Sequence, residues 1–114
     1  IIGSKQWNKR GAMMTDKYLH ITYHATPQDF MAAIKTKTLI AFDNVPGCIN
    51  LSAATLPQNA VLLFGAEGPG ISEELLQNAA QTVAIEQFGS TRSINVGVAA
   101  GIAMYAWLRQ NYLT

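Results

Sequence analysis

The sequence predicts an α/β fold with a mostly parallel sheet and flanking helices. Three observations carry this. Short apolar runs recur in "TLIAFDN", "AVLLFG" and "TVAIEQFG", the pattern of strands covered on both faces. Between and after them lie segments that open on helix caps, so strands alternate with helices. With 114 residues, 49% of them apolar and 13% charged, the chain suits one domain around one core.

The elements follow in order. "YLHITYH" alternates with period two, Leu19, Ile21 and Tyr23 against His20, Thr22 and His24, and reads as a strand with one polar side. In "TPQDFMAAIKTK", Thr26 is a cap and Pro27 suits the first helical position. Phe30, Ala33 and Ile34 share a face, which makes this a helix. "TLIAFDN" is a buried strand ending in turn residues. "VPGCINLSAATLPQN" is rich in loop formers, with room for one short helical turn. "AVLLFG" is a strand stopped by Gly65. "SEELLQNAA" is a helix capped by Ser72, with Glu73 and Glu74 in its first turn, where the helix dipole favours them. "TVAIEQFG" is a further buried strand. "SINVGVAAGIAMYAWLRQNYL" is a long final helix whose small residues, Gly97, Ala99, Ala100, Gly101 and Ala103, fit burial on every side. In a chain this short, part of that burial is expected from a second subunit.

Charge and cysteine use narrow the function classes. The net charge of +1 produces no global field toward nucleic acid or membrane. Lys5, Lys9, Arg10 and Lys17 crowd the start, with Asp16 as their acidic neighbour; they form either a local phosphate patch or a solvated face. The single cysteine, Cys48, excludes an internal disulfide and a Cys-pair metal site, and fits a reducing cytoplasm. The opening residues lack the apolar core of a signal peptide, and the run from Val96 to Leu108 is too short to span a membrane. His20 and His24 stand four residues apart on an extended segment, too far for one metal ion, and no carboxylate cluster joins them.

Three loops at strand ends are the chemical candidates, because open α/β sheets bind ligands at the carboxyl edge of their strands. The first, "FGAEGPGIS", holds Glu67 among three glycines spaced G-x-x-G-x-G. That is not the Rossmann order, and the lysine and hydroxyl of a P-loop are missing. Glu67 would also repel phosphate. The loop is either a tight turn with an exposed acid or part of a pocket for another ligand. The second, "QFGSTRSIN", carries Ser90, Thr91, Arg92, Ser93 and Asn95, with Ser93 or Asn95 as cap of the final helix. The third is "FDNVPG".

Together, "LLFGAEGPGIS" and "IEQFGSTRSINVGVAAGIAMYAW" resemble two signature motifs of the SpoU (TrmH-like) branch of the SPOUT RNA methyltransferases. The first is similar to the N/G-x-E-x-x-G motif. The second is similar to I-P-x-x-G-x-x-x-S-L-N-V, with Glu86 in place of proline and Ile94 in place of leucine. The resemblance covers at least residues 40–108, and "WNKRGAMMTDKYLH" looks like a segment of some bacterial members. A family motif of the N-x-G-x-x-x-R kind, with its ribose-directed arginine, has no counterpart in these residues. The start at "IIG" looks like a second strand, so a fragment of a larger domain is expected.

The resemblance implies a parallel sheet with a C-terminal trefoil knot, which general topology rules would not suggest. It implies transfer of a methyl group from S-adenosyl-L-methionine to a ribose 2′-hydroxyl of tRNA or rRNA, by a homodimer joined through the C-terminal helix. The alternative is a catalytically inactive RNA-binding domain of the same fold. Motif matching assigns cofactor contacts to Asp43, Gly65, Gly68, Ile85 and Ser93, with Phe64, Phe88 and Ile94 nearby. Glu67, Ser93 and Asn95 fall to the active site, Glu67 and Asn95 also touching the cofactor region. Glycine at such positions lets main chain approach a ligand closely. Glu67 is expected to accept hydrogen bonds from loop amides or from an arginine rather than to abstract a proton.

Overall fold

The computed structural model describes residues 1–3, 20–66, 70–87 and 95–113. The chain divides into two compact units, Ile1–Lys35 and Thr36–Thr114.

In the first unit, the expected strand around Ile21 is not regular among its described residues. His24 makes one parallel bridge to Ile2, bounded by bonds of 2.8 Å from His24 N–H to the Ile1 carbonyl and from Gly3 N–H to the His24 carbonyl. Alternation makes a segment extended, but a strand also needs a neighbour along its length, and Ile1–Gly3 supplies one bridge. Tyr18 and Leu19 lie outside the described residues, as does most of "WNKRGAMMTDKYLH". Helix α1, Pro27–Ala33, forms as its sequence demands: Thr26 Oγ1 accepts the Asp29 N–H at 3.1 Å, and Pro27 occupies the first turn. Phe30 is its buried residue and meets the His24 ring edge-on.

The second unit holds a four-stranded, wholly parallel sheet. Its strands are β1 (Thr38–Phe42), β2 (Ile49–Asn50), β3 (Ala60–Phe64) and β4 (Gln81–Ala84), in the order β2-β4-β1-β3. Central β1 is buried on both faces from Leu39 to Phe42, whereas edge strand β3 is mostly half-buried. One face presents Ile40, Phe42 and Val83 to a cluster with Leu56, Ala54 and Ala103. Leu39, Ala41 and Leu63 alternate with those residues and therefore face the other way. Helix α2 (Glu73–Asn78) lies against β1, capped by Ser72 Oγ, which accepts the Leu75 N–H at 3.4 Å. The short helical turn expected in the long loop is a 3-10 turn at Leu51–Ala53.

Helix α3 (Val96–Tyr112) supplies Ala103 to the core, and Ala99 is also buried. Within the single chain it is not covered on all sides: Val98, Met104 and Tyr105, on the part of the helix for which a second subunit is expected, are more than half exposed. Its C-terminal half has instead a polar task. Trp107 Nε1 donates to the Pro57 carbonyl at 2.9 Å, Gln110 accepts the Leu56 N–H at 2.7 Å and donates to the Ala54 carbonyl, and Asn111 donates to the Leu56 carbonyl. Residues 54–57 form no ladder, so their buried main-chain groups need such partners. No helix among the described residues is long and apolar enough to cross a membrane. Two of the three loops that would form the implied knot contain residues outside the described set.

Candidate functional site

Strand register decides which loops meet. Phe42 pairs with Phe64 on one side and Val83 on the other, so β1, β3 and β4 end at one level. Asp43, Gly65 and Ile85 emerge side by side at that carboxyl edge. Asp43 continues the ladder, its N–H donating to the Val83 carbonyl at 3.0 Å. Its Oδ1 accepts the Asn44 N–H at 2.9 Å, which opens the turn after β1.

The loop after β3 closes on itself. Gly70, at φ +71°, donates its N–H to the Ala66 carbonyl at 2.9 Å. A β-carbon on Gly65 would collide with the Gly70 carbonyl carbon and lie 2.6 Å from the Ile71 nitrogen. The close approach that Gly65 permits within the described residues is thus between two stretches of its own chain. Buried Ile71 anchors the far end of the loop. Among the described residues, a β-carbon at Gly70 would meet Asp43 Oδ2 at 3.8 Å, an ordinary contact distance, so the Asp43 carboxylate lies against the end of the glycine loop.

Of the assigned residues, Asp43, Gly65 and Ile85 share this edge. Phe64 turns its ring inward, stacked on Phe42 with centroids 5.0 Å apart, and Ile85 packs its side chain on the same core. Asn95 caps α3: its Oδ1 accepts the N–H groups of Gly97 at 2.9 Å and Val98 at 3.2 Å, and its amide NH2 takes no part in the cap. Glu67, Gly68, Phe88, Ser93 and Ile94 lie outside the described residues. No cluster of three potential metal-ligating side chains occurs among the described residues.

An open groove of about 740 Å³ lies between the segments after β2 and β4 and the C-terminal half of α3, and of Asp43, Gly65 and Ile85 it is lined by Ile85 alone. Leu51, Ser52, Ile85 and Glu86 form one wall, and Ile102, Tyr105 and Arg109 belong to the other. Glu86 Oε1 accepts the Ser52 N–H at 3.2 Å. Bonds from the Ser52 hydroxyl, and then from its amide, hold the Glu86 carboxyl below its ordinary 4.5. The sequence motifs assign Glu86 no role; an acid at a position where the motif has proline is the signal available for it.

A parallel α/β sheet whose strands β1, β3 and β4 end at one level has the carboxyl edge at which open α/β domains bind ligands. Residues 3–105 match the SpoU rRNA Methylase family, and the chain belongs to that family. It is 37% identical over 71 residues to a tRNA (guanosine(18)-2′-O)-methyltransferase of Borreliella burgdorferi, covering 62% of this chain and 33% of that protein. The protein of the same description from Aquifex aeolicus is 34% identical, over 54% of this chain and 29% of its own. A solved structure concerned with 2-OH methylation of C/U34 on tRNA shares 31% identity at a TM-score of 0.79, over 90% of this chain and 66% of that one. The SpoU methyltransferase AviRb of Streptomyces viridochromogenes, in complex with the cofactor AdoMet, has the same fold, with 21% identity and a TM-score of 0.87 over 100% of this chain and 49% of that one. The chain spans roughly a third of the length of these curated relatives.

Proposed function

We propose that this chain is the methyl-donor-binding part of an RNA 2′-O-methyltransferase, taking S-adenosyl-L-methionine as cofactor and a ribose hydroxyl of tRNA or rRNA as acceptor. The observation that carries the reading is the junction of Asp43, the 65–70 loop and Ile85 at one sheet edge, in a chain of the SpoU family. Relatives named for 2′-O-methylation of tRNA and a structural neighbour holding AdoMet support it. The residues present fit such a group: the Asp43 carboxylate and the main chain at Gly65 and Ile85 lie together at this edge.

The bound cofactor supplies an electrophilic methyl group. The chain's task is to hold that group in line with the ribose oxygen and to give the departing proton a route. In this reading, main chain at Gly65 and Ile85 and the Asp43 carboxylate bind the donor, with Phe64 taking part through its backbone. Gly68, Phe88, Ser93 and Ile94 complete the pocket. Glu67 accepts hydrogen bonds that shape its loop. Ser93 and the amide NH2 of Asn95 orient the reacting groups at the start of α3.

The partner assignment follows from α3. Val98, Ile102, Met104, Tyr105 and Leu108 are exposed, and an apolar stripe of this kind is suited to a second copy of the chain in an RNA-bound homodimer. The lone Cys48 suits a cytoplasmic setting. The test is methylation of total RNA from a strain lacking the gene, with mapping of the modified ribose. Methyl transfer by the natural full-length protein supports the enzyme reading. RNA binding without transfer would favour an inactive domain of the same fold.

A further inference from the structure

The groove wall beside Ile85 is built across the sheet edge, and its construction is unusual. Strands β2 and β4 pair over only Ile49↔Val83 and Asn50↔Ala84. Beyond Asn50 the chain turns into the 3-10 turn at Leu51–Ala53, and the ladder stops. The first amides of such a turn have no partner within it. Asn50, in the capping position, makes no side-chain cap. Glu86, 34 residues away in sequence, takes that place: its Oε1 receives the Ser52 N–H at 3.2 Å. The two residues joined in this way face the groove together with Leu51 and Ile85. The family motif has proline where this chain has Glu86, and proline offers no side-chain acceptor.

We propose that Glu86 is a positioning residue for the methyl donor: it caps the 51–53 turn from the opposite strand and so sets the spacing between that turn and the Ile85 main chain. The proposal rests on the donor-site reading above. Glu86 and Ser52 are both exposed, so water competes for their bond and its worth to overall stability is small. What the bond fixes is the relative placement of two segments that no further ladder pair joins. Leu51 packs on the core cluster alongside Ile85, so release of the turn shifts the wall and not the fold.

The test uses the natural full-length protein and S-adenosylhomocysteine as the probe in isothermal titration. Glu86→Ala raises its Kd about tenfold, the scale on which a small misplacement of contacting groups acts, and leaves the melting temperature and the affinity for RNA unchanged. Glu86→Gln keeps an acceptor oxygen and restores binding to near the wild-type value. Faster hydrogen exchange at the Ser52 amide in Glu86→Ala reports loss of the cap itself. Equal Kd in wild type and Glu86→Ala overturns the positioning role while the donor site stands. Failure of the wild-type protein to bind the probe overturns the donor-site reading, and this proposal falls with it.

Discussion

At Gly65 a single hydrogen in place of a methyl group decides whether the loop after β3 can close. The space a β-carbon would need is filled by the Gly70 and Ile71 backbone, which cannot give way as a flexible side chain would. Gly65→Ala is therefore expected to destabilise the domain by about 1–3 kcal/mol, as overpacking does, and to weaken S-adenosylhomocysteine binding with it. Denaturant unfolding and titration on the same sample check this. Lost binding at unchanged stability would mean that the methyl group meets the ligand instead. Asn95 separates two roles in the same manner. Its Oδ1 is spent on the cap, and its NH2 is not. Asn95→Ala costs about 1 kcal/mol of stability, whereas Asn95→Asp keeps the cap and its stability. Both variants are expected to lose most methyl transfer, measured as initial rate. Full activity in Asn95→Asp would reduce Asn95 to a cap.

Elements are held by groups that local pattern does not reveal. The 54–57 segment has neither helix nor ladder, and Gln110 satisfies both the Leu56 N–H and the Ala54 carbonyl from α3. Gln110→Ala leaves two part-buried main-chain groups unpaired and is expected to cost about 1–3 kcal/mol in chemical denaturation. A change within error would show that water replaces the amide. The joint between β4 and the 51–53 turn depends on pH through Glu86. Its carboxyl is held below 4.5 because Ser52 bonds the charged form. The contribution is thus fully present above the ordinary carboxylate value and disappears as pH falls through the lowered one. Ser52 amide exchange, corrected for its intrinsic rate, should rise across that acid window in the wild type. In Glu86→Gln the protection should not vary there.

On the scale of the molecule, α3 has one face on the core and another with no cover. Ala103 is fully buried, while Met104 and Tyr105 beside it are 55% and 61% exposed. Trp107, by contrast, is half-buried, its ring tilted against Tyr112 and its N–H bound to Pro57, and belongs to the fold rather than to an interface. Sedimentation at micromolar concentration is expected to give twice the chain mass. Replacing Met104 and Leu108 by glutamate should yield monomers, because charge in a dry contact is costly. A folded monomer from the unaltered protein would refute the contact.

The sequence by itself determined the α/β class, the helix starts at Thr26 and Ser72, and the three loops at the strand ends; for the final helix it offered Ser93 or Asn95, and the structure places the cap at Asn95. These are local properties: apolar runs, capping side chains and glycines act on near neighbours and are readable in order. The motifs of 62–72 and 85–107 carried the family as well. Only tertiary structure decided that Gly65 approaches its own chain, that Phe64 turns into the core and that Glu86 caps a turn 34 residues away. It also decided that the 21–24 segment makes one bridge and that α3 is bare on one side. Each of these depends on which distant backbone lies alongside. Strand order and register fix that, and no short stretch of sequence encodes it.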